Sequence, residues 1–229
     1  MPALRCLTSF LAVIVASGCL QGQNPARPVM DEMIHQLGNV LSVSARVKRT
    51  ERLADGTFVS GEMEFKVMYE PRLKAYVRLN HPNPGTEVLY VEGWNGNAAF
   101  VNPNRFPWIN VNLDPCGSHM LNQQHHSLLC IGFRYTRGVL HYMYNNIQDF
   151  DRQVTYLGVQ QWSGRTTHLL KVSFPDYGSK AYRIQGDENL CEVEQKIFVP
   201  AAKMLELNPE VDDYWDRPER QQALDWFEG

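Results

Sequence analysis

The stretch "LSVSARVKRTERLADGTFVSGEMEFKVMYE", Leu41–Glu70, decides the fold class. In its first half the apolar residues Val43, Ala45 and Val47 alternate with polar ones, which is typical of a half-buried strand. Gly56, after an aspartate, supplies the backbone freedom that a tight hairpin turn needs. The second half alternates in the same way. Its apolar face carries Met63, Phe65, Val67 and Tyr69. The stretch therefore predicts an antiparallel hairpin with one apolar face.

Further strands follow the hairpin, separated by turn-forming Gly, Pro and Asn residues. They are "KAYVRLN", "TEVLYVEG", "AAFVNP" and "FPWINVNL". Consecutive strands of this kind form an antiparallel meander, and its apolar face must be covered. Residues 118–133 and 138–150 carry apolar residues at helical spacing and are the predicted cover. A short helix precedes the sheet at residues 30–40, and two strands follow the cover at residues 152–164 and 167–174. We predict one α+β domain over residues 30–175.

The N-terminus differs from the rest of the chain. "MPALRCLTSFLAVIVASGC" has one arginine, an apolar core and small residues, the layout of a secretory signal peptide at residues 1–19. Its end, Ala16–Cys19, resembles a bacterial lipobox, so Cys19 is the predicted lipidation site. The alternative is an ordinary cleaved signal with an incidental cysteine. Residues 20–29 are polar and predict a tether. We expect an exported protein on the periplasmic side of the envelope, anchored in the outer membrane, with which Leu20 is compatible.

Composition excludes some classes of partner. The 229 residues are 44% hydrophobic and 21% charged, which is ordinary for a globular protein. The formal net charge of −3 gives no basic footprint for nucleic acid. Outside the signal, Cys116, Cys130 and Cys191 remain. A Cys116–Cys130 disulfide and three buried thiols are both compatible with the sequence.

The C-terminal part predicts a strand, a helix from about Glu188, a turn at Val199-Pro200 and a second helix ending at Asn208. With "GD" and "MLELNP", residues 180–216 resemble the start of a LysM module. The resemblance implies a partial β-α-α segment that contacts glycan. The implied contact residues are Gly186, Asp187, Leu207, Asn208 and Pro209. LysM modules close with a second strand, which "RPERQQALDWFEG" does not reveal, so residues 217–229 are predicted to be an irregular tail.

The run "EVLYVEGWNGNAAFVNPNRFPWINVNLDP", followed by "NQQHH", resembles a family of bacterial envelope proteins of unknown function. The similarity spans residues 45–175. It implies a fold like that of the lipoprotein carrier LolA: a strongly curved antiparallel half-barrel with helices on its concave side.

The histidine-rich stretch "HMLNQQHHSLLC" raises the question of a metal site. His119, His125 and His126 offer imidazoles, with Cys116 or Cys130 as a thiolate and Asp114 as a carboxylate. Two ligands on one helix face need a spacing of three or four residues, and no two of these histidines have it. The alternative is that His125 and His126 donate hydrogen bonds to loop carbonyls around "NPNRFPW". The spacing favours this second interpretation and predicts no metal.

No enzyme signature is present. The sequence has neither a G-x-S-x-G nucleophile elbow nor a phosphate-binding glycine loop. Cys130 and His126 are four residues apart on one segment, whereas a catalytic pair normally comes from different elements. We therefore expect a protein without catalytic residues and without a cofactor.

Binding is the function class that remains. Trp94, Phe100, Phe106 and Trp108 gather around two turns, where aromatic side chains line an apolar pocket or fill the core. Together with His125 and His126 they are the predicted ligand-binding residues. The leading hypothesis is a non-enzymatic envelope lipoprotein that binds a lipid or a lipoprotein acyl chain. The second is a peptidoglycan-associated protein acting through the LysM-like segment, and the third is a metalloenzyme built on His119, His125 and His126.

Overall fold

The structure is a computed structural model, and it describes residues 24–53, 56–122, 124–147, 149–173, 178–208, 210–211 and 223–228. The predicted signal peptide, Cys19 and residues 20–23 lie outside these ranges. None of the helices within them is long and apolar enough to cross a bilayer. The elements are α1 Ala26–Gly38, β1 Ser42–Arg52, β2 Phe58–Met68, β3 Lys74–His81, β4 Glu87–Val91, β5 Ala99–Asn102, β6 Val111–Leu113, α2 Ser118–Leu121, α3 Phe133–Asn146, α4 Phe150–Gln153, β7 Val154–Trp162, β8 Arg165–Val172, β9 Gly178–Arg183, α5 Leu190–Ile197, α6 Ala201–Leu207 and β10 Ala223–Glu228, with 3-10 turns at Asn95–Asn97 and Leu128–Cys130.

Strands β1 to β6 form one antiparallel sheet in which each strand pairs with the next one along the chain. This is the predicted meander, and the mixed α+β class is confirmed. On β2, Phe65 and Val67 are buried while Lys66 and Met68 are exposed, so the predicted apolar face is the buried one. β1 and β6 are the two edges of the sheet, which is not a closed barrel.

The cover over the apolar face is less helical than predicted. Over residues 118–133 the structure has the four-residue α2, a loop and the second 3-10 turn. Ser127 starts that turn, since its hydroxyl accepts a hydrogen bond from the backbone N–H of Leu129 at 3.2 Å. Gly132, at φ +80°, is the N-cap of α3 and lies against the hydroxyl of Tyr69, which leaves no room for a Cβ. α3 confirms the second predicted helix.

Strands β7 and β8 form a separate two-stranded sheet instead of extending the meander. The base of this hairpin packs on helix α1, where Met30 and Ile34 share an apolar cluster with Phe150 and Val154. Ala26 is fully buried in the same cluster, so the prediction of a tether is wrong from that residue onward. Burial against the hairpin stabilises this first turn of helix.

The C-terminal segment consists of β9, α5, α6 and β10. Its two strands pair with each other, and the two helices lie between them in the chain. The prediction of an irregular tail is wrong for Ala223–Glu228, which pairs antiparallel with β9. This strand has no local signal because its partner lies far away in sequence. Both predicted helices are present. α5 starts with a capping box, in which Asn189 accepts from the N–H of Glu192 while Glu192 accepts from the N–H of Asn189.

A disulfide joins the C-terminal segment to the cover of the sheet. It links Cys116 to Cys191, whose Cα atoms lie 5.9 Å apart, and leaves Cys130 as a buried free thiol. Both cysteine alternatives drawn from the sequence are therefore wrong. The pairing depends on α5 packing beside the loop before α2, which sequence spacing does not reveal.

Candidate functional site

A cavity of about 1180 Å³ lies between the apolar face of the six-stranded sheet and the cover. Its lining is mainly apolar and comes from both sides. The sheet contributes, among others, Val47, Met63 and Leu79, and the cover contributes Met120, Leu128 and Ile131. The C-terminal segment completes the wall with Phe198 and Pro200. Three parts of the chain that are distant in sequence therefore enclose one apolar space.

Charged side chains are present in the lining as well. Arg49 forms an ion pair with Glu51, and both line the cavity. Glu51 also accepts a hydrogen bond from the backbone N–H of His125 at 2.8 Å. Arg105 lines the cavity too and donates to the side-chain oxygen of Asn83 at 3.1 Å. The mainly apolar lining therefore includes two arginines, one of which is paired with Glu51.

His126, Cys130 and Glu194 meet at the wall that the C-terminal segment completes. His126 Nδ1 lies 2.6 Å from Glu194 Oε1, which also accepts from the hydroxyl of Tyr135 at 3.1 Å. One nitrogen, one sulfur and one oxygen of these three residues all lie within 4.8 Å of one another. In the described part of the chain, this is the one group of three His, Cys, Asp or Glu side chains close enough to hold a metal ion.

The position of this cluster follows from local structure. The second 3-10 turn carries Cys130 back toward His126, and α5 presents Glu194 from the opposite side. The disulfide at Cys191, one helical turn before Glu194, holds α5 against the cover. Glu194 is only 1% exposed, so its carboxylate depends on the hydrogen bonds that it receives here.

The electrostatics of the cluster follow from the buried carboxylate. The hydrogen bond to Glu194 raises the pKa of His126 above its ordinary value, although burial opposes this. Burial, with Glu194 nearby, raises the pKa of the Cys130 thiol to about 12. The same two causes raise the pKa of Tyr135. At neutral pH both the thiol and the phenol therefore keep their protons, and an unassisted thiolate nucleophile is not available here.

Residues 40–203 match the model of DUF1571, a family described as a protein of unknown function. The chain belongs to the DUF1571 family. The matched residues include the six-stranded sheet, its cover, and the C-terminal segment as far as α6. The DUF1571 region thus contains all three parts of the cavity wall.

No curated protein matches this DUF1571 chain. Among solved structures, the crystal structure at 1.75 Å resolution of a DUF1329 family protein from Desulfovibrio piger ATCC 29098 is similar to it, with 14% sequence identity and a TM-score of 0.30. The match covers 64% of this chain and 60% of that chain, so our chain matches less than two thirds of the length of the solved relative.

Of the six predicted ligand-binding residues of the DUF1571 protein, only His126 lines the cavity. The aromatic side chains lie on the opposite face of the sheet or in surface turns. Their exposed fractions are 49% for Trp94, 36% for Phe100, 84% for Phe106 and 69% for Trp108. Phe100 points away from the cavity because its neighbours Ala99 and Val101 on β5 take the buried positions. These four aromatic residues do not line the cavity that the structure shows.

The three histidines of the metal hypothesis are not gathered into one site. His119 lines the cavity, but the three-residue group contains neither it nor His125. The Nε2 atom of His125 is buried without a hydrogen-bond partner among the described residues. The predicted hydrogen bond from His126 to a loop carbonyl is also wrong, since its partner is the carboxylate of Glu194.

The predicted glycan-binding residues are spread over the two ends of the helical pair. Gly186 and Asp187 lie exposed in the turn before α5, and Leu207 is half-buried at the end of α6. Asn208 is buried and donates its side-chain N–H to the carbonyl of Met204 at 2.6 Å, so it caps α6. Pro209 lies outside the described residues.

Glu194 is the site residue that sequence reasoning missed. It lies on α5, 68 residues from His126, with no motif around it. A signal was nevertheless present, because Glu194 directly follows Val193 and lies three residues before Ile197 on an amphipathic helix, close to the buried side. A carboxylate at such a position needs hydrogen-bond donors, and the residues that supply them here belong to the site.

Proposed function

We propose that this protein is a non-enzymatic envelope protein that binds a lipid or a lipoprotein acyl chain in the cavity between the sheet and its cover. The observation that carries the proposal is the size and lining of this cavity. Small-molecule pockets typically measure about 300–1,000 Å³ and are lined mainly by apolar side chains. The cavity here, at about 1180 Å³, is slightly larger than that range.

The polar part of the lining supports an amphipathic ligand. Arg105 is held by Asn83 near the turn between β3 and β4, and a guanidinium in such a position suits a carboxylate or phosphate head group. The apolar side chains of the sheet face then contact the hydrocarbon part. The open sheet with its cover on one face is also what the proposed LolA-like half-barrel requires.

The proposed setting follows from the sequence rather than from the fold. A lipid on Cys19 would anchor the protein at the periplasmic side of the outer membrane, with the cavity in the exported domain. The Cys116–Cys191 disulfide is consistent with this setting, because disulfides persist in oxidising compartments.

The test is binding of a dansyl-labelled fatty acid to the purified, delipidated full chain. Val139 lines the cavity from α3 and is half-buried, so Val139→Trp places a large side chain in the binding space. We expect wild-type protein to enhance the dansyl fluorescence. The variant is expected to bind at least about ten-fold more weakly, which corresponds to a loss of about 1.4 kcal/mol in binding free energy.

The matched control is Val159→Trp on β7. Val159 is 56% exposed and does not line the cavity, so this variant introduces the same side chain elsewhere and is expected to bind like wild type. Absence of binding by wild type, or equal losses in both variants, contradicts the proposal. Circular dichroism of both variants reports whether the fold is retained.

A second proposed function is association with peptidoglycan through the C-terminal segment. The observation that favours it is the β-α-α-β order, in which β10 supplies a closing strand of the kind that a LysM module has. Co-sedimentation of the full chain with purified sacculi tests it. Asp187→Arg, in the exposed turn before α5, is expected to reduce the bound fraction. The charge-matched control is Asp151→Arg on α4, and absence of wild-type sedimentation contradicts this second function.

A further inference from the structure

Three side chains with different donor atoms converge where the C-terminal segment closes the cavity. Glu194 is 1% exposed and Cys130 is 8% exposed, while the side chain of His126 is 48% exposed. Both His126 and Cys130 line the cavity. The cluster therefore has one side that is buried and one side that faces the cavity.

We propose that His126, Cys130 and Glu194 bind one Zn²⁺ ion, with an open coordination position toward the cavity. Imidazole nitrogen, thiolate sulfur and carboxylate oxygen are the three donor types that Zn²⁺ uses in proteins. Three protein ligands and one open position are the arrangement of zinc sites that also bind water or a ligand. Hard cations such as Mg²⁺ and Ca²⁺ prefer all-oxygen sites and fit this donor set poorly.

The distances are compatible with a tetrahedral ion after small movements of the side chains. Zinc ligands lie about 2.0–2.3 Å from the metal, which places them about 3.3–3.8 Å from each other. The present separations run from 2.6 Å, between His126 Nδ1 and Glu194 Oε1, up to at most 4.8 Å within the group. The shortest separation is thus about 0.7 Å below the zinc range, and none exceeds that range by more than about 1 Å.

Neighbouring residues support the ligands from outside. Tyr135 donates to the Glu194 oxygen at 3.1 Å, and the hydroxyl of Ser127 lies 3.8 Å from the Cys130 sulfur. Groups of this kind orient metal ligands and tune their affinity. The backbone at two of the three ligands is held by local structure: the 3-10 turn holds that of Cys130, and α5 with the nearby disulfide holds that of Glu194.

Zinc binding at this cluster has a defined proton balance. The S–H bond of Cys130 breaks, a sulfur–zinc bond forms, and the proton passes to the buffer. Any proton that His126 carries on Nδ1 is released in the same way. Binding therefore releases at least one proton per ion at neutral pH. If the cluster is only a hydrogen-bonded network around a buried carboxylate, adding Zn²⁺ releases no proton from it.

The test uses the full chain with its disulfide intact, treated with a chelator and titrated with Zn²⁺ in a calorimeter using buffers of different ionisation enthalpy. We expect one ion per chain and the proton release described above. Titration with Co²⁺ is expected to give a near-ultraviolet thiolate-to-cobalt charge-transfer band. Mg²⁺ and Ca²⁺ at equal concentration are expected to give no heat.

Two variants and a control locate the ion. Cys130→Ser is expected to abolish the charge-transfer band and weaken Zn²⁺ binding about ten-fold or more. His126→Gln, at a half-exposed side chain, is expected to weaken Zn²⁺ binding as well. It serves as the test of affinity if the buried serine disturbs folding. His119→Ala removes a histidine that lines the cavity outside the cluster, and it is expected to bind like wild type.

No stoichiometric binding by wild type, or unchanged affinity in His126→Gln, overturns the proposal. The inference does not rest on lipid binding, since the metal titration needs no lipid and the dansyl assay needs no metal. The two can therefore fail separately.

Discussion

The interiors of the six-stranded sheet and of the C-terminal segment differ in how completely they are filled. Leu190, Val193 and Met204 in the C-terminal segment have no exposed surface at all. Val47 and Met63, on the apolar face of the sheet, remain partly exposed although the cover lies over them. The cavity is the reason, because these side chains border open space instead of other side chains.

The two interiors also differ in polarity. None of the strands β1 to β6 buries a charged side chain, whereas the C-terminal segment buries the carboxylates Glu188 and Glu194 beside its apolar cluster. Buried charges need specific partners, and this requirement fixes one arrangement of the surrounding elements. The two regions therefore differ in structure: the sheet borders open space, and the C-terminal segment is a filled wall with specific polar contacts.

The largest expected effect concerns the link between these regions. Replacing both cysteines of the disulfide, Cys116→Ser with Cys191→Ser, removes a cross-link between residues 75 positions apart. Loop-closure entropy predicts a loss of about 4 kcal/mol in the free energy of unfolding. Guanidinium denaturation measures it, and reduced wild-type protein should match the double variant. Unchanged stability would mean that the two regions hold together without the bond.

Truncation of core side chains tests the difference in filling directly. Leu190→Ala in the C-terminal segment is expected to cost about 3 kcal/mol, because it opens a new cavity in a filled core. Leu79→Ala on the sheet is expected to cost about 1 kcal/mol or less, since that side chain already borders the existing cavity. Urea denaturation of both variants compares them. Equal losses would remove the proposed distinction between the regions.

The buried carboxylate of Glu188 predicts how stability depends on pH. Burial alone raises the pKa of Glu188, but hydrogen bonds from Lys196, the backbone N–H of Gln185 and Tyr182 outweigh it and hold the pKa below its ordinary value. A lowered pKa in the folded state adds stability above the unfolded-state pKa of about 4.3, and this stability is lost as the pH falls through the folded-state pKa.

Glu188→Gln is therefore expected to cost about 1–2 kcal/mol at neutral pH. The difference from wild type should stay constant above about pH 5 and shrink below about pH 4. Denaturation at a series of pH values measures it. A difference that does not change with pH would show that the charge of Glu188 adds nothing to the filled core.

The smallest expected effect concerns the exposed aromatic residues. Phe106→Ser and Trp108→Ser alter side chains that are 84% and 69% exposed. We expect stability to change by no more than about 0.5 kcal/mol and binding of the dansyl-labelled fatty acid to stay unchanged. A loss of fatty-acid binding would mean that the ligand contacts the outer turn rather than the cavity.

Local patterns predicted the parts of the fold that depend on local contacts. The alternation of Val43, Ala45 and Val47 identified β1 and its half-buried face, because the period of two is imposed by the pleat of a strand. The helices α3, α5 and α6 were also predicted from their spacing and caps. The meander could be inferred because each of its strands pairs with its neighbour in sequence.

The rest depends on contacts between distant parts of the chain. β10 pairs with β9 across the two helices, and Cys191 finds Cys116 across 75 residues. Glu194 meets His126 in the same way, so the sequence identified His126 and Cys130 as candidate ligands and missed Glu194. The predicted ligand-binding aromatic residues lie away from the cavity because their clustering in sequence reflects turns on the outside of the sheet, and composition alone does not tell the two faces of a sheet apart.

The order in which these contacts form has a consequence for how the protein is made. The meander contains only sequence-local strand pairs, so we expect it to form early, as each hairpin closes on the preceding strand. Phe198 and Pro200 reach the cavity only when α5 docks, after the intervening chain has been synthesised. Until then the apolar space lacks its last wall. That side of the space is therefore open until α5 docks, and the apolar face of the sheet is more exposed then than in the folded protein.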